Sequence, residues 1–125
     1  MSACYTPAPE AGMQWTDQFL YLTTTGRKTR MPREIEIWFV EDDGCVYILA
    51  EHGRKAQWVQ NILSEPRVHV RIGEEKWEGV ARVLEPDKDS ASYSTARRLA
   101  HEKYGWGEGL PVEIRRLTLA IQDDV

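Results

Sequence analysis

Cysteine is scarce, with only Cys4 and Cys45 in 125 residues. Two thiols make no disulfide framework, and Cys4 sits in a Pro-containing leading stretch where a structural bridge is not expected. The three histidines lie far apart at positions 52, 69 and 101, and neither C-x-x-C nor H-E-x-x-H occurs, so no protein metal site is expected. No apolar run is long enough for an integral membrane segment. The opening MSACYTPAPEAG has neither the basic start nor the apolar stretch of a secretory signal, which makes the cytoplasm the expected location. An excess of positive charge is missing as well: the formal net charge is −4, which disfavours nucleic acid as a partner because that binding needs a broad basic face. Repeats and low-complexity segments are absent beyond a leading tail. Residues 1–12 are therefore expected to form a flexible tail and residues 13–125 a single domain, large enough to bury roughly two-thirds of its unfolded surface.

What is present is alternation. The runs FLYLTT, EIEIWFVE, VYILA, RVHVRI, KWEGVARVLE and VEIRRLTLAI mostly carry the period of a half-buried strand. In EIEIWFVE, Ile35, Ile37 and Phe39 share one face, and Glu36, Trp38 and Val40 the other. EDDG at 41–44 predicts a hairpin turn with Gly44 at positive φ, and GEE at 73–75 another. Two segments have helical spacing instead: AQWVQNILSEP, stopped by Pro66, and SASYSTARRLAHEKYG, with Asp89 or Ser90 as cap, a stripe of Tyr93, Ala96, Ala100 and Tyr104, and Gly105 as closure. The expected fold is mainly β (α+β), with six antiparallel strands and about two helices. Curling into a small barrel hides the two sheet edges, and a plain α+β sandwich is the alternative.

Against the negative net charge stands a basic cluster in LTTTGRKTRMPR, residues 22–33, with Arg27, Lys28, Arg30 and Arg33. Gly26 permits a sharp turn after the strand. Arginine forks suit phosphate or carboxylate, Thr25 and Thr29 supply hydroxyls, and backbone N–H groups in such a turn can form an anion nest. GRKT lacks the first glycine of a Walker A loop and leads toward a strand rather than a helix. A second cluster, Glu51, His52, Gly53, Arg54 and Lys55, precedes the Trp58 helix, where cations at a helix start are poorly placed unless an anion joins them. Trp58 begins an apolar stripe, and Asn61 lies one turn further on. GWGEG at 105–109 follows a helix, so a plain turn is favoured over a phosphate loop, and Trp106 within it suits either a cavity mouth or a cover for the core. No nucleophile and base set is legible, so an enzyme of this sequence needs a cofactor to carry the reaction.

In order, LTTTGRKTRMPR, the IWFV strand, the D-G hairpin, the strand ending at Ala50, and the Trp58–Asn61 helix closing with EPRVHVRIG resemble the deazaflavin-dependent nitroreductase family. The resemblance runs from about Leu20 to Leu84. It implies a split β-barrel related to FMN-binding oxidases and an oxidoreductase that passes a hydride from reduced coenzyme F-420 to a small-molecule acceptor such as a quinone, nitroaromatic or enone. It further implies that Arg27, Lys28, Thr29 and Arg33 hold the phosphate or acidic tail, and that Arg54 and Lys55 lie near the phosphate. Trp38 would stand by the deazaflavin ring, Glu51 and His52 would line the pocket, and Trp58 and Asn61 would cover it. Tyr104, with Tyr93, is a candidate for approaching the acceptor and supplying a proton. Arg30 stands where the family usually has glycine, His52 replaces a frequent lysine, and Glu36 replaces a proline of well-known members. FMN on the same barrel, or a non-enzymatic carrier of an anionic cofactor or lipid, are the alternatives, and split barrels often pair as homodimers.

Overall fold

A computed structural model of the chain describes residues 18–117. The tail expected at residues 1–12, and the last residues of the final predicted strand, lie outside them. The strands are β1 (Phe19–Thr25), β2 (Pro32–Trp38), β3 (Val40–Asp42), β4 (Cys45–Ala50), β5 (Arg67–Ile72), β6 (Glu75–Val83) and β7 (Leu110–Arg116), and the helices are α1 (Gln57–Ser64) and α2 (Ser90–Tyr104). One antiparallel sheet takes them in the order β2-β1-β5-β6-β7-β4-β3.

Seven strands stand where six were expected, because EIEIWFVE breaks at Phe39. The Phe39 N–H donates to the Tyr104 hydroxyl at 3.1 Å instead of to a neighbouring strand. Its carbonyl accepts from that hydroxyl at 2.8 Å and from Lys103 Nζ at 3.0 Å. The break has a topological effect. β2 and β3 are the two outer edges of the sheet, and this one residue connects them. Strands at opposite edges can be adjacent in the chain only if the sheet curls until its edges meet, so the barrel, split along that seam, replaces the sandwich alternative.

The curl produces two apolar clusters. Leu20, Leu22, Phe39, Val46, Ile48, Val68, Val70, Val112 and Ile114 fill the barrel, plugged by Ile62 of α1. Cys45, Tyr47 and Leu49, on the other face of β4, pack with Val40 and Leu84 under Ala96 and Ala100 of α2. β4 is therefore buried on both faces, which is why VYILA reads as a continuous apolar run. Cys45 is fully buried in this cluster; Cys4, and with it the expectation that no bridge forms there, lies outside the described residues.

Local signals in the turns behave as expected. Asp43 and Gly44 adopt φ of 57° and 84°, the paired positive values of a tight hairpin turn. Gly105 ends α2 at φ 77°, its N–H bonded to the His101 carbonyl. The start of α2 differs. Asp89 occupies the cap position but makes no cap bond. Its carboxylate accepts instead from the Glu85 N–H and from Arg82, each at 2.9 Å, and these bonds hold its carboxyl below the usual range. Arg82 also reaches the buried Glu113 at 3.2 Å, so this guanidinium joins β6, β7 and the start of α2.

Candidate functional site

The basic turn between β1 and β2 is held by its own backbone. The Gly26 N–H donates to the Met31 carbonyl and the Arg30 N–H to the Gly26 carbonyl, both at 2.8 Å. Thr29 Oγ1 accepts from the Met31 N–H at 3.2 Å and from Arg33 Nη2 at 3.4 Å. A Cβ on Gly26 would lie 2.9 Å from Thr29 Oγ1 and 3.1 Å from the Met31 carbonyl, so the turn closes this tightly only around glycine.

α1 fixes the turn from the other side. Asn61 is 5% exposed, and its Oδ1 accepts from the Arg27 N–H at 3.2 Å and from Arg27 Nη1 at 2.9 Å. Its Nδ2 donates to the buried Thr24 hydroxyl at 3.1 Å, and Arg27 Nη2 donates to Gln57 Oε1 at 2.9 Å. Gln57 and Asn61, four apart on one helix face, thus clamp Arg27. Gln57 and Thr24 were not singled out in the sequence, although the i, i+4 pair of amides was a usable signal.

This docking encloses a cavity of about 380 Å³, lined by Thr24, Gly26, Arg27, Lys28, Thr29, Arg33, Ile35, Gln57, Trp58 and Asn61. No carboxylate is ion-paired with Arg27, Lys28 or Arg33 among the described residues. Beside it a second cavity of about 890 Å³ follows the barrel seam. Its walls include Phe19, Ile37, Trp38, Tyr47, Glu51, His52, Ala56, Ala100, Tyr104 and Trp106. Ile35 and Trp58 line both spaces, so a cationic compartment and a largely aromatic one share a wall.

Of the residues expected to bind a cofactor, Arg27, Lys28, Thr29, Arg33, Trp58 and Asn61 line the smaller cavity, and Trp38, Glu51, His52 and again Trp58 the larger. Arg54 and Lys55 line neither. They are exposed on a separate 3-10 turn, Gly53–Lys55, ahead of α1. Lys55 immediately precedes Ala56, the N-cap of α1, so these cations stand ahead of the helix start as expected.

Tyr104 lines the larger cavity, its ring stacked on Trp38 with centroids 4.3 Å apart and planes 2° from parallel. Its hydroxyl is engaged with the Phe39 backbone and lies 2.8 Å from the Gln18 carbonyl, and burial raises its pKa above the usual phenol value. Beyond the helix-closing Gly105, the other two glycines of GWGEG serve packing: a Cβ on Gly107 would collide with the Arg97 carbonyl of α2, and one on Gly109 would come within 2.8 Å of the Ala50 carbonyl. Trp106 is thereby carried into the cavity wall.

A family model for F420H(2)-dependent quinone reductases matches residues 5–113. An F420H(2)-dependent quinone reductase of Mycobacterium tuberculosis is 32% identical over 76 residues, which cover 58% of this chain and 51% of that protein. The chain spans about half the length of the curated relatives it matches. Among solved structures, an F420-H2 dependent reductase aligns with TM-score 0.61 and 26% identity over 82% of this chain and 98% of that one. Another, described as a domain-swapped dimer, aligns with TM-score 0.57 and 25% identity over 78% of each.

Arg30 closes the basic turn at φ 64°, a left-handed value that a side chain tolerates poorly. It stands where the family resemblance expects glycine, and it does not line the cavity. Arg30→Gly is expected to relieve roughly 0.5–1 kcal/mol of strain. Thermal unfolding should then rise by a few degrees; a fall in the midpoint would show that the Arg30 side chain stabilises the turn.

Proposed function

Because the chain belongs to the F420H(2)-dependent quinone reductase family, we propose that it is a reductase that holds coenzyme F-420 across its two adjoining cavities and reduces an organic acceptor of the quinone class there. The observation that carries this is the shared wall: Ile35 and Trp58 line a cationic cradle on one side and an aromatic cavity on the other. A ligand with an anionic tail and a planar ring needs that pairing. The donor set fits the group, since Arg27, Lys28, Arg33 and the Thr29 hydroxyl match phosphate and carboxylate oxygens. Gly26 lets the turn fold tightly on itself, which holds Thr29 and Arg33 side by side. When bound, the reduced deazaflavin supplies a hydride.

The chain's own groups then have distinct tasks. Lys28 and Arg33 attract and hold the tail, while Arg27, already clamped by Asn61 and Gln57, keeps its fork aimed without loss of side-chain entropy on binding. Arg54 and Lys55 add attraction at a distance from their exposed turn. Trp58 divides the compartments, and Trp38, Glu51, His52 and Trp106 border the space for ring and acceptor. Tyr104 keeps its proton at neutral pH, and its hydroxyl staples the Phe39 junction. We assign it that holding role, and the acceptor's proton to water entering along the seam. A homodimer is supported by the domain-swapped relative.

Two measurements test this. Titrating the purified protein with F-420 should give salt-sensitive binding, and Lys28→Ala or Arg33→Ala should each weaken it about tenfold; unchanged affinity in both variants would remove the cradle from the account. Tyr104→Phe should lower stability by about 1–2 kcal/mol through loss of the Phe39 bonds. Its quinone turnover should stay within a few-fold of the parent's. A drop on the order of 100-fold with stability intact would return the proton to Tyr104.

A further inference from the structure

The two compartments differ in the sign of their charges as well as in polarity. Among the described residues, the smaller cavity is lined by three cations and no carboxylate. The larger has Glu36 and Glu51 in its lining and no lysine or arginine. Glu36 lies two residues before Trp38 on edge strand β2, so both side chains leave the same face. Glu51 directly follows β4, and both glutamates are exposed at the rim rather than consumed in the core. Neither carboxylate has an ion-pair partner among the described residues.

We propose, building on the reductase function above, that Glu36 and Glu51 select electron acceptors by charge, admitting neutral or cationic aromatic acceptors and disfavouring anionic ones. The physical cause is direct. An acceptor must lie against the aromatic wall of Trp38, Trp58 and Trp106, and one carrying a sulfonate or carboxylate meets two like charges, while Lys103, whose ammonium packs on the Phe39 and Tyr104 rings, is engaged with the Phe39 carbonyl. In water-like surroundings each close like charge disfavours binding several-fold, so the pair produces about a tenfold bias. Salt screens this bias because both groups are exposed. The same sign pattern orients the cofactor, since an anionic tail is attracted at the Gly26 turn and repelled by the glutamates of the larger cavity.

The test needs no cofactor, because Trp38, Trp58 and Trp106 border the cavity and a bound quinone quenches their fluorescence. Dissociation constants are measured by that quenching for the full chain with 1,4-naphthoquinone, its sulfonate, and a trimethylammonium-bearing naphthoquinone, at about 20 mM and about 0.5 M salt. The expected result is about tenfold weaker binding of the sulfonate than of the neutral compound at low salt. The cationic compound should bind at least as tightly as the neutral one. The gap should close at high salt and in the Glu36→Gln/Glu51→Gln double variant. Equal binding of all three, or a gap that persists in the double variant, overturns the charge selection while leaving the reductase function standing. Absence of binding by every quinone likewise overturns the charge selection, and the F-420 titration decides the reductase function separately.

Discussion

The structure depends on one junction. Phe39 joins the two edge strands of a seven-stranded sheet, and its backbone N–H and carbonyl, which a continuous strand would have paired with a neighbour, are taken by Tyr104 and Lys103 at the end of α2. A buried backbone group without a partner carries a free-energy cost comparable to a lost hydrogen bond, so the break is sustained only because α2 ends here. Once it exists, the sheet must curl. The curl brings β2 beside β4 and creates the seam in which the larger cavity lies. The stacking of Tyr104 on Trp38 ties that cavity's wall to the same junction.

A second closure sets the chemistry. Asn61 is buried, and its amide is bonded on both ends, to the Arg27 backbone and guanidinium through oxygen and to Thr24 through nitrogen. It therefore fixes the helix, the end of β1 and the basic turn relative to one another. Gly26 makes the turn tight enough for those bonds to form. The cradle is thus organised before any ligand arrives, which lowers the ordering cost of holding an anion.

Much of this was legible in the sequence, and the parts that were not share a cause. Short apolar runs located the strands, with β2 and β3 merged into one, and helical spacing with Pro66 and Gly105 bounded both helices, because those signals are local. The break at Phe39 was invisible, since its cause is a tyrosine 65 residues away. Arg27, Lys28, Thr29 and Arg33 come together because one turn carries them, whereas the placement of Arg54 and Lys55 depended on the chain forming a separate 3-10 turn before α1. The wall of the larger cavity draws Phe19, Ala100 and Trp106 from three distant segments, a convergence that no spacing rule encodes. Glu36 was readable only as a departure from a family pattern, and its position on the cavity rim gives that departure a physical meaning.

The central claim is that one elongated ligand occupies both compartments, with its charged end in the Gly26 turn. A crystal structure of the protein with F-420 tests this most directly. The account predicts the phosphate within hydrogen-bonding reach of Lys28 and Arg33 and the ring on the Trp38 side of Trp58. A phosphate bound at Arg54 and Lys55 instead, with the Gly26 turn facing solvent, would contradict it.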